Sequence, residues 1–165
     1  SNSGIYFHTK FQDEGWPKAG FECQVNNTYH DPKKTASLYG VKDNLTAPAK
    51  DDEWFEVYIK VDGKKVVTKV NGKTVVEWEQ PADAKSGGNF ERVLGEGTFA
   101  LQGHDPGSTV LFRNIRINDC PNNREERNSR NVEGTTKVVP PSVVAQSREI
   151  ASICNGGVIE LLSYP

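Results

Sequence analysis

Several features that mark particular classes of protein are missing from this sequence. Its 20 Lys and Arg residues face 22 Asp and Glu residues, so the formal net charge is −2 and no positive excess is available to bind nucleic acid. No run approaches the roughly 18 apolar residues that a membrane-spanning helix needs. We therefore expect neither a nucleic-acid partner nor a membrane span. The 165 residues also include no methionine, so we expect Ser1 to lie downstream of the start of translation.

Cysteine is scarce as well. Cys23, Cys120 and Cys154 are widely spaced and form no C-x-x-C pair and no Cys/His cluster, which argues against a structural zinc site. Cys23 alternates with Phe21 and Val25, so we predict a small buried hydrophobic side chain rather than a nucleophile. A disulfide between Cys120 and Cys154 is left open by the sequence.

Apolar and polar positions alternate along most of the chain, and turn residues separate the alternating segments, a pattern typical of antiparallel strands. Asp62-Gly63 and Asn71-Gly72 suit type I′ turns and therefore predict a three-stranded meander. We predict an all-β chain whose two antiparallel sheets pack as a jelly-roll sandwich. The predicted strands are Ser1–His8, Gly20–Asn26, Ala36–Val41, Glu53–Val61, Lys65–Val70, Thr74–Glu79, Thr98–His104 and Val110–Ile117.

The composition changes at the end of the predicted jelly-roll domain, residues 1–118. Residues 119–137 are polar and charged, which predicts a linker, whereas residues 138–165 become apolar again. Ser142–Ile153 could form a helix with Ser142 as its cap, but Val158–Leu162 suits a short β hairpin nearly as well. We expect a C-terminal tail that is poorly structured or partly helical.

Seven blocks, in order along residues 1–118, resemble one protein family, the 3-keto-disaccharide hydrolase domain. The blocks are Asn2–Phe7, Gly20–Asn26, Ser37–Gly40, Glu53–Phe55, Val70–Gly72, Ala100–Pro106 and Phe112–Ile117. The resemblance implies a concanavalin A-like jelly roll, an extracytoplasmic location and a carbohydrate substrate. Because members of this family normally begin with further strands, we expect an N-terminally truncated member whose jelly roll is incomplete at that end.

Strand alternation predicts a group of polar side chains on one sheet face, provided that the strands lie side by side as the resemblance implies. We predict that Glu22 and His104 are catalytic and that the others bind substrate. Amides and carboxylates can hydrogen-bond sugar hydroxyls, while an aromatic ring covers the apolar face of a sugar. The alternative is that polar residues of an antiparallel strand simply face water. The predicted substrate-binding residues are Tyr6, His8, Gln24, Asn26 and Gln102.

The resemblance also implies a chemistry, the cleavage of a glycoside that carries a ketone at C3. The ketone acidifies the proton on C2, so a base can remove that proton and the C1 substituent can leave by β-elimination, with water added afterwards. Either His104 or Glu22 could be the base. Gln24, Asn26 or a bound divalent cation could polarise the ketone. The pair Asp13-Glu14 could supply calcium ligands or lie in a plain surface loop.

Other functions remain open at this point. A retaining β-glucanase on this fold would carry a Glu-x-Asp-x-x-Glu strand with its two carboxylates close together, and that pattern is absent from the sequence. A fold does not fix a function, so a non-catalytic carbohydrate-binding module of a larger secreted protein is the main alternative. A purely structural domain is the third.

Overall fold

The computed structural model describes the backbone of residues 1–86, 90–118, 129–138, 145–146 and 158–164, and the side chains of residues 1–86 and 90–117. Within those ranges every regular element is a β-strand, so the all-β prediction is confirmed. The strands are β1 Ser3–Thr9, β2 Phe21–Val25, β3 Phe55–Asp62, β4 Lys65–Val70, β5 Lys73–Glu79, β6 Thr98–Leu101, β7 Val110–Asn118, β8 Ser129–Val138, β9 Ala145–Gln146 and β10 Val158–Tyr164.

The strands form two antiparallel sheets. The small sheet has the order β2-β1-β6-β9, and the large sheet has the order β5-β4-β3-β10-β7-β8. Apolar side chains from both sheets join one core, in which the ring of Phe21 on β2 lies 5.5 Å from that of Trp78 on β5. The hydroxyl of Thr68 on β4 donates across the layers to the Ala36 carbonyl at 2.7 Å. This packing confirms the sandwich.

The predicted meander is present as β3, β4 and β5. Asn71 and Gly72 both have positive φ angles, 48° and 76°, which fits the predicted type I′ turn. The first turn differs in detail. Asp62 pairs with Lys65, so the two central residues of this turn are Gly63 and Lys64. Of these two, Gly63 has the positive φ angle, 60°. That pattern is typical of type II′, in which glycine occupies the first central position.

The predicted strand Ala36–Val41 is wrong. The segment is a loop in which Leu38 alone forms bridges, to Cys23 and to Lys42. Positive φ angles at Ala36 (67°) and Gly40 (70°) interrupt the extended backbone that a strand requires. The loop lies along the outer edge of β2 and hydrogen-bonds to it, which covers an otherwise open sheet edge.

A β-bulge interrupts β1 at His8. The pairing of β1 with β6 shifts register between Tyr6 and Thr9, and His8 has a φ of 53°. Gly20 and Gly97 make room for this bulge, because a Cβ on either residue would lie 2.5 Å from the carbonyl carbon of His8. The alternation that assigned His8 to a sheet face therefore ends before it.

Beyond residue 118, parts of the tail belong to the sheets. β10 lies between β3 and β7 and pairs antiparallel with both. The second half of the predicted linker is strand β8, since pairing with β7 satisfies its backbone N–H and C=O groups. Within the predicted helix Ser142–Ile153, β9 is strand instead, because the edge of β6 offers partners. The described residues do not include the rest of that predicted helix, nor do they include Cys120 or Cys154. No helix in the described ranges is long and apolar enough to cross a membrane.

Candidate functional site

A cavity of about 420 Å³ lies against the face of the small sheet that is turned away from the core. Tyr6 on β1 is paired with Glu22 on β2, and both side chains lie at its base. Loops supply the walls. A concave pocket with a few converging polar groups is the usual form of a small-molecule site. The lining residues are Asn2, Tyr6, Trp16, Glu22, Gln24, Asp31, Tyr39, Gly40, Phe90, Arg92, Gln102 and His104.

Glu22 is the centre of the polar cluster at the base, with 5% of its surface exposed. The Gln102 amide donates to Glu22 Oε1 at 3.0 Å and to the Tyr6 hydroxyl oxygen at 3.0 Å. The Tyr6 hydroxyl is in turn hydrogen-bonded to the Glu22 carboxylate. With its amide nitrogen turned towards β1, Gln24 donates to the Ser3 carbonyl at 3.0 Å and to Glu22 Oε1 at 3.2 Å. The carboxylate is thus held by three neighbouring side chains.

Space for this carboxylate depends on Gly4. A Cβ on Gly4 would lie 2.9 Å from Glu22 Cγ and would contact Oε1 as well. Gly4 is paired with Gln24, two positions along the ladder from the Tyr6 and Glu22 pair, so Glu22 reaches it diagonally across β1. The absence of a side chain at Gly4 lets Glu22 lie over the strand.

Burial changes the acid-base properties of the cluster. It raises the pKa of Glu22 from an ordinary value of 4.5 to about 7, although hydrogen bonds from Tyr6 and Gln102 and the charge of Arg92 act in the opposite direction. Burial and the adjacent Glu22 charge also raise the pKa of Tyr6, so its hydroxyl stays protonated and can donate. A carboxyl group whose pKa lies near neutral pH can either give or take a proton there.

His104 is a second acid-base group in the cavity wall. Its Nδ1 lies 2.8 Å from Asp105 Oδ2. Asp105 also accepts from the Ser108 hydroxyl at 2.7 Å and from the Gly107 N–H at 3.0 Å. Although partial burial acts to raise it, hydrogen bonds from His104, Ser108 and Gly107 lower the pKa of Asp105 to about 2. The group that faces His104 Nδ1 is therefore an ionised carboxylate at neutral pH.

Two partly exposed aromatic rings stand at the rim, Trp16 with 40% and Phe90 with 46% of their surfaces exposed. Trp16 packs on His104, with ring centres 5.7 Å apart, and the Gln12 amide holds its loop by donating to the Trp16 carbonyl at 2.6 Å. The Arg92 guanidinium lies 4.7 Å above the Phe90 ring. Exposed rings beside hydrogen-bonding groups suit a ligand with both apolar faces and hydroxyls.

Arg92 places a positive charge beside the carboxylate cluster. Its Nη1 donates to the Gly20 carbonyl at 2.9 Å, which anchors the guanidinium to the start of β2. Burial lowers its pKa, while the charges of Glu22 and Tyr6 act to raise it. Because an arginine remains protonated at neutral pH, Arg92 can donate to an oxygen that becomes negative in the cavity.

A further polar wall comes from the loop after β2. The Tyr39 hydroxyl donates to Asp31 Oδ2 at 3.0 Å, and the Lys33 N–H donates to Asp31 Oδ1 at 2.8 Å. Burial and the hydrogen bond to Asp31 raise the pKa of Tyr39 to about 12. Both oxygens of the Asp31 carboxylate are therefore already hydrogen-bonded within the loop, which keeps this wall in place.

The structure brings together most of the residues predicted from strand alternation. Those that line the cavity are Tyr6, Glu22, Gln24, Gln102 and His104. Four of them lie in or next to strands of the small sheet and expose at most 5% of their surface, so they do not simply face water. These four are Tyr6, Glu22, Gln24 and Gln102. Their roles in binding or catalysis remain predictions.

The other two predicted residues, His8 and Asn26, do not line the cavity. His8 lies in the β-bulge, is buried, and its Nδ1 accepts from the Gly95 N–H at 3.3 Å. Asn26 follows the last residue of β2, and its amide donates to the carbonyls of Asp31 at 2.9 Å and Lys33 at 2.8 Å. These bonds clamp the loop that follows β2.

Loop residues were missed because alternation assigns faces only within strands. Trp16 has one sequence signal, an aromatic residue between glycine and proline in a polar segment. Arg92 has none, since nothing near it distinguishes this arginine from a solvated one. The cavity residues not predicted are Asn2, Trp16, Asp31, Tyr39, Gly40, Phe90 and Arg92.

Comparison with known families settles the membership of the chain. Residues 1–118 match the family described as the 3-keto-alpha-glucoside-1,2-lyase-like domain. The chain belongs to this family. The match covers the whole predicted jelly-roll segment and confirms the resemblance carried by the seven sequence blocks. No curated protein and no solved structure matches the chain.

The family description of this lyase-like domain points to chemistry on a 3-keto-glucoside. In the described part of the chain, no three His, Cys, Asp or Glu side chains come together as metal ligands, and Asp13 and Glu14 lie exposed in a loop. The described side chains therefore do not form a divalent cation site.

Proposed function

We propose that this lyase-like domain binds a 3-keto-glycoside in the cavity and eliminates its C1 substituent. The observation that supports it is the presence in one cavity of two acid-base groups in different settings, buried Glu22 and carboxylate-bound His104. Elimination from a 3-keto sugar needs a base for the C2 proton, a donor for the enolate oxygen and an acid for the leaving oxygen. The cavity offers a candidate for each.

His104 is the proposed base. With Asp105 accepting from Nδ1, the unprotonated nitrogen of the neutral ring is Nε2, which can remove the proton from C2. The electron pair of the broken C–H bond forms the C2=C3 double bond of an enolate, whose negative charge lies on the C3 oxygen. Arg92 is the proposed donor to that oxygen, because its guanidinium is a charged donor among the described lining residues.

Glu22 is the proposed acid. With a pKa of about 7, part of the carboxyl population is protonated at neutral pH and can supply a proton. As the enolate reverts to the ketone, the C1=C2 double bond forms, the bond from C1 to the leaving oxygen breaks, and Glu22 protonates that oxygen. The products are an alcohol and a 1,2-unsaturated 3-keto sugar. Addition of water across C1=C2 then gives the product of net hydrolysis.

The test measures cleavage of a 3-keto-α-glucoside by the full chain, through alcohol released and ultraviolet absorbance of the conjugated enone. Glu22→Gln and His104→Ala should each lower kcat/KM by on the order of 100-fold or more. Glu53→Gln and His30→Ala are the matched controls, since both residues are exposed and outside the cavity lining, and should keep full activity. Full activity in both cavity variants would overturn the proposal.

The pH profile distinguishes the two roles of Glu22. If Glu22 is the acid, its protonated form is the active one, and kcat/KM should fall as pH rises through about 7. A profile that does not fall as pH rises through about 7 would contradict the role of Glu22 as the acid. Binding of the 3-keto-glucoside in calorimetry with no alcohol released would favour the carbohydrate-binding module.

A further inference from the structure

Asp105 presents two carboxylate oxygens with different partners. Oδ1 accepts the Gly107 N–H at 3.0 Å, while Oδ2 faces His104 Nδ1 at 2.8 Å and the Ser108 hydroxyl at 2.7 Å. The Tyr29 hydroxyl is also hydrogen-bonded to this carboxylate. One side chain thus gathers a histidine, two hydroxyls and a backbone N–H beside the cavity.

We infer that Asp105 is a positioning residue, which holds His104 in the tautomer that carries its proton on Nδ1 and leaves Nε2 as the base. This inference rests on the proposed function, in which His104 removes the C2 proton. An ionised carboxylate has no proton to donate, so Nδ1 must be the donor in the 2.8 Å contact.

The surroundings fix both the carboxylate and the ring. The Ser108 hydroxyl oxygen accepts the Asn2 N–H at 2.8 Å, so its own proton is left to bond Asp105, and the carboxylate is tied to the start of β1. The imidazole is restrained by Trp16, with ring centres 5.7 Å apart, and by the edge of Tyr29 at 5.6 Å. Rotation of the ring away from Asp105 would have to displace one of these neighbours.

Asp105→Asn should invert the tautomer with little change in shape. The Gly107 N–H requires an acceptor, so it keeps the carbonyl oxygen of the new amide at the Oδ1 position. The amide NH₂ then occupies the Oδ2 position, where the Ser108 hydroxyl rotates to accept from it instead of donating. The same NH₂ faces His104 Nδ1, which can then only accept. The proton of the neutral ring moves to Nε2, and the base is lost.

Nitrogen-15 NMR of the full chain, at a pH that keeps imidazoles neutral, reports the tautomer directly. The chain has three histidines, so the His104 signals are assigned by their loss in His104→Ala. We expect the Nδ1–H form in the unmodified chain and the Nε2–H form in Asp105→Asn, with the His8 and His30 signals unchanged. An Nε2–H ring in the unmodified chain would overturn the inference even if the variant failed to fold.

Kinetics with the 3-keto-α-glucoside separates this inference from the proposed function. Asp105→Asn should lower kcat by on the order of 100-fold to 10,000-fold and leave KM within a few-fold. Asp83→Asn, at an exposed loop position, should change neither. An inverted tautomer in a chain that never cleaves the substrate would refute the function and keep the positioning role. Cleavage that is unaffected by Asp105→Asn would refute the positioning role alone.

Discussion

The two sheets of this sandwich are built from similar strands, but their described strands differ in how far the polar face is exposed to solvent. Every residue of β1 and β2 in the small sheet is buried, whether it faces the core or not. In β3 of the large sheet, buried residues alternate with exposed or partly exposed ones. β3 therefore follows the ordinary antiparallel pattern with one face in solvent, while β1 and β2 are covered on both faces.

The difference shows where function should be sought. Glu56 and Glu77 on the large sheet are exposed to water, whereas Glu22 on the small sheet is buried and held by neighbouring side chains. Burying a carboxylate is costly unless it is hydrogen-bonded or neutralised. A strongly shifted pKa beside a cavity is typical of functional sites, and both features occur together on the small sheet.

The largest effect we expect from this contrast is in the pH dependence of stability. The folded-state pKa of Glu22, about 7, lies above its ordinary value of 4.5. The stability that this group contributes is therefore full below pH 4.5 and is lost as pH rises to about 7. Gln does not ionise, so the Glu22→Gln variant lacks this loss. As pH rises from below 4.5 to above 7, its unfolding free energy should therefore increase by about 3 kcal/mol relative to that of the unmodified chain.

Urea unfolding at acidic and alkaline pH measures this gain. Glu77→Gln on the exposed face of the large sheet is the matched control, and its stability difference should change with pH by less than about 1 kcal/mol. If the stability differences of the two variants changed equally with pH, the two glutamates would have equivalent surroundings. The contrast drawn between the two sheets would then be wrong.

A smaller effect is expected from filling the space beside Glu22. Gly4→Ala places a Cβ against the Glu22 side chain, and overpacking of this kind costs about 1 to 3 kcal/mol. Displacement of Glu22 should also lower kcat/KM on the 3-keto-glucoside. Gly95→Ala is the control, because a Cβ there meets nothing within 4 Å, and it should change stability by less than about 0.5 kcal/mol.

A double-mutant cycle shows whether Glu22 is the obstacle. In a Glu22→Ala background the crowding is relieved, so Gly4→Ala should cost measurably less than in the unmodified chain. An unchanged cost would place the strain elsewhere, for example in the backbone of β1.

Much of the fold was predictable because it depends on local periodicity. Asn71-Gly72 fixed one hairpin turn, and alternation placed Tyr6, Glu22 and Gln24 on a common face. His8 does not line the cavity, because it lies in a β-bulge that depends on Gly20 and Gly97, whose approach no local sequence pattern reveals.

The rest of the cavity depends on long-range contacts. Arg92 enters the cavity lining through its bond to the Gly20 carbonyl, a contact between residues 72 positions apart. Burial of the polar face could not be predicted either, since solvated and covered faces have the same alternation. The sequence pattern predicts which side chains share a face, and only the tertiary structure shows whether that face is covered.

The smallest effect is expected for the cross-strand ion pair between Lys65 and Glu77 on the exposed side of β4 and β5. Their side chains are 49% and 57% exposed, so water and salt screen the attraction between them. In a double-mutant cycle of Lys65→Ala and Glu77→Ala, measured by urea unfolding, the coupling should stay below about 1 kcal/mol and decrease with added salt. Neither variant should alter cleavage of the 3-keto-glucoside. A coupling of several kcal/mol would show that solvent is excluded from this face as it is from the buried polar side chains at the base of the cavity. The contrast between the two sheets would then no longer indicate where the functional site lies.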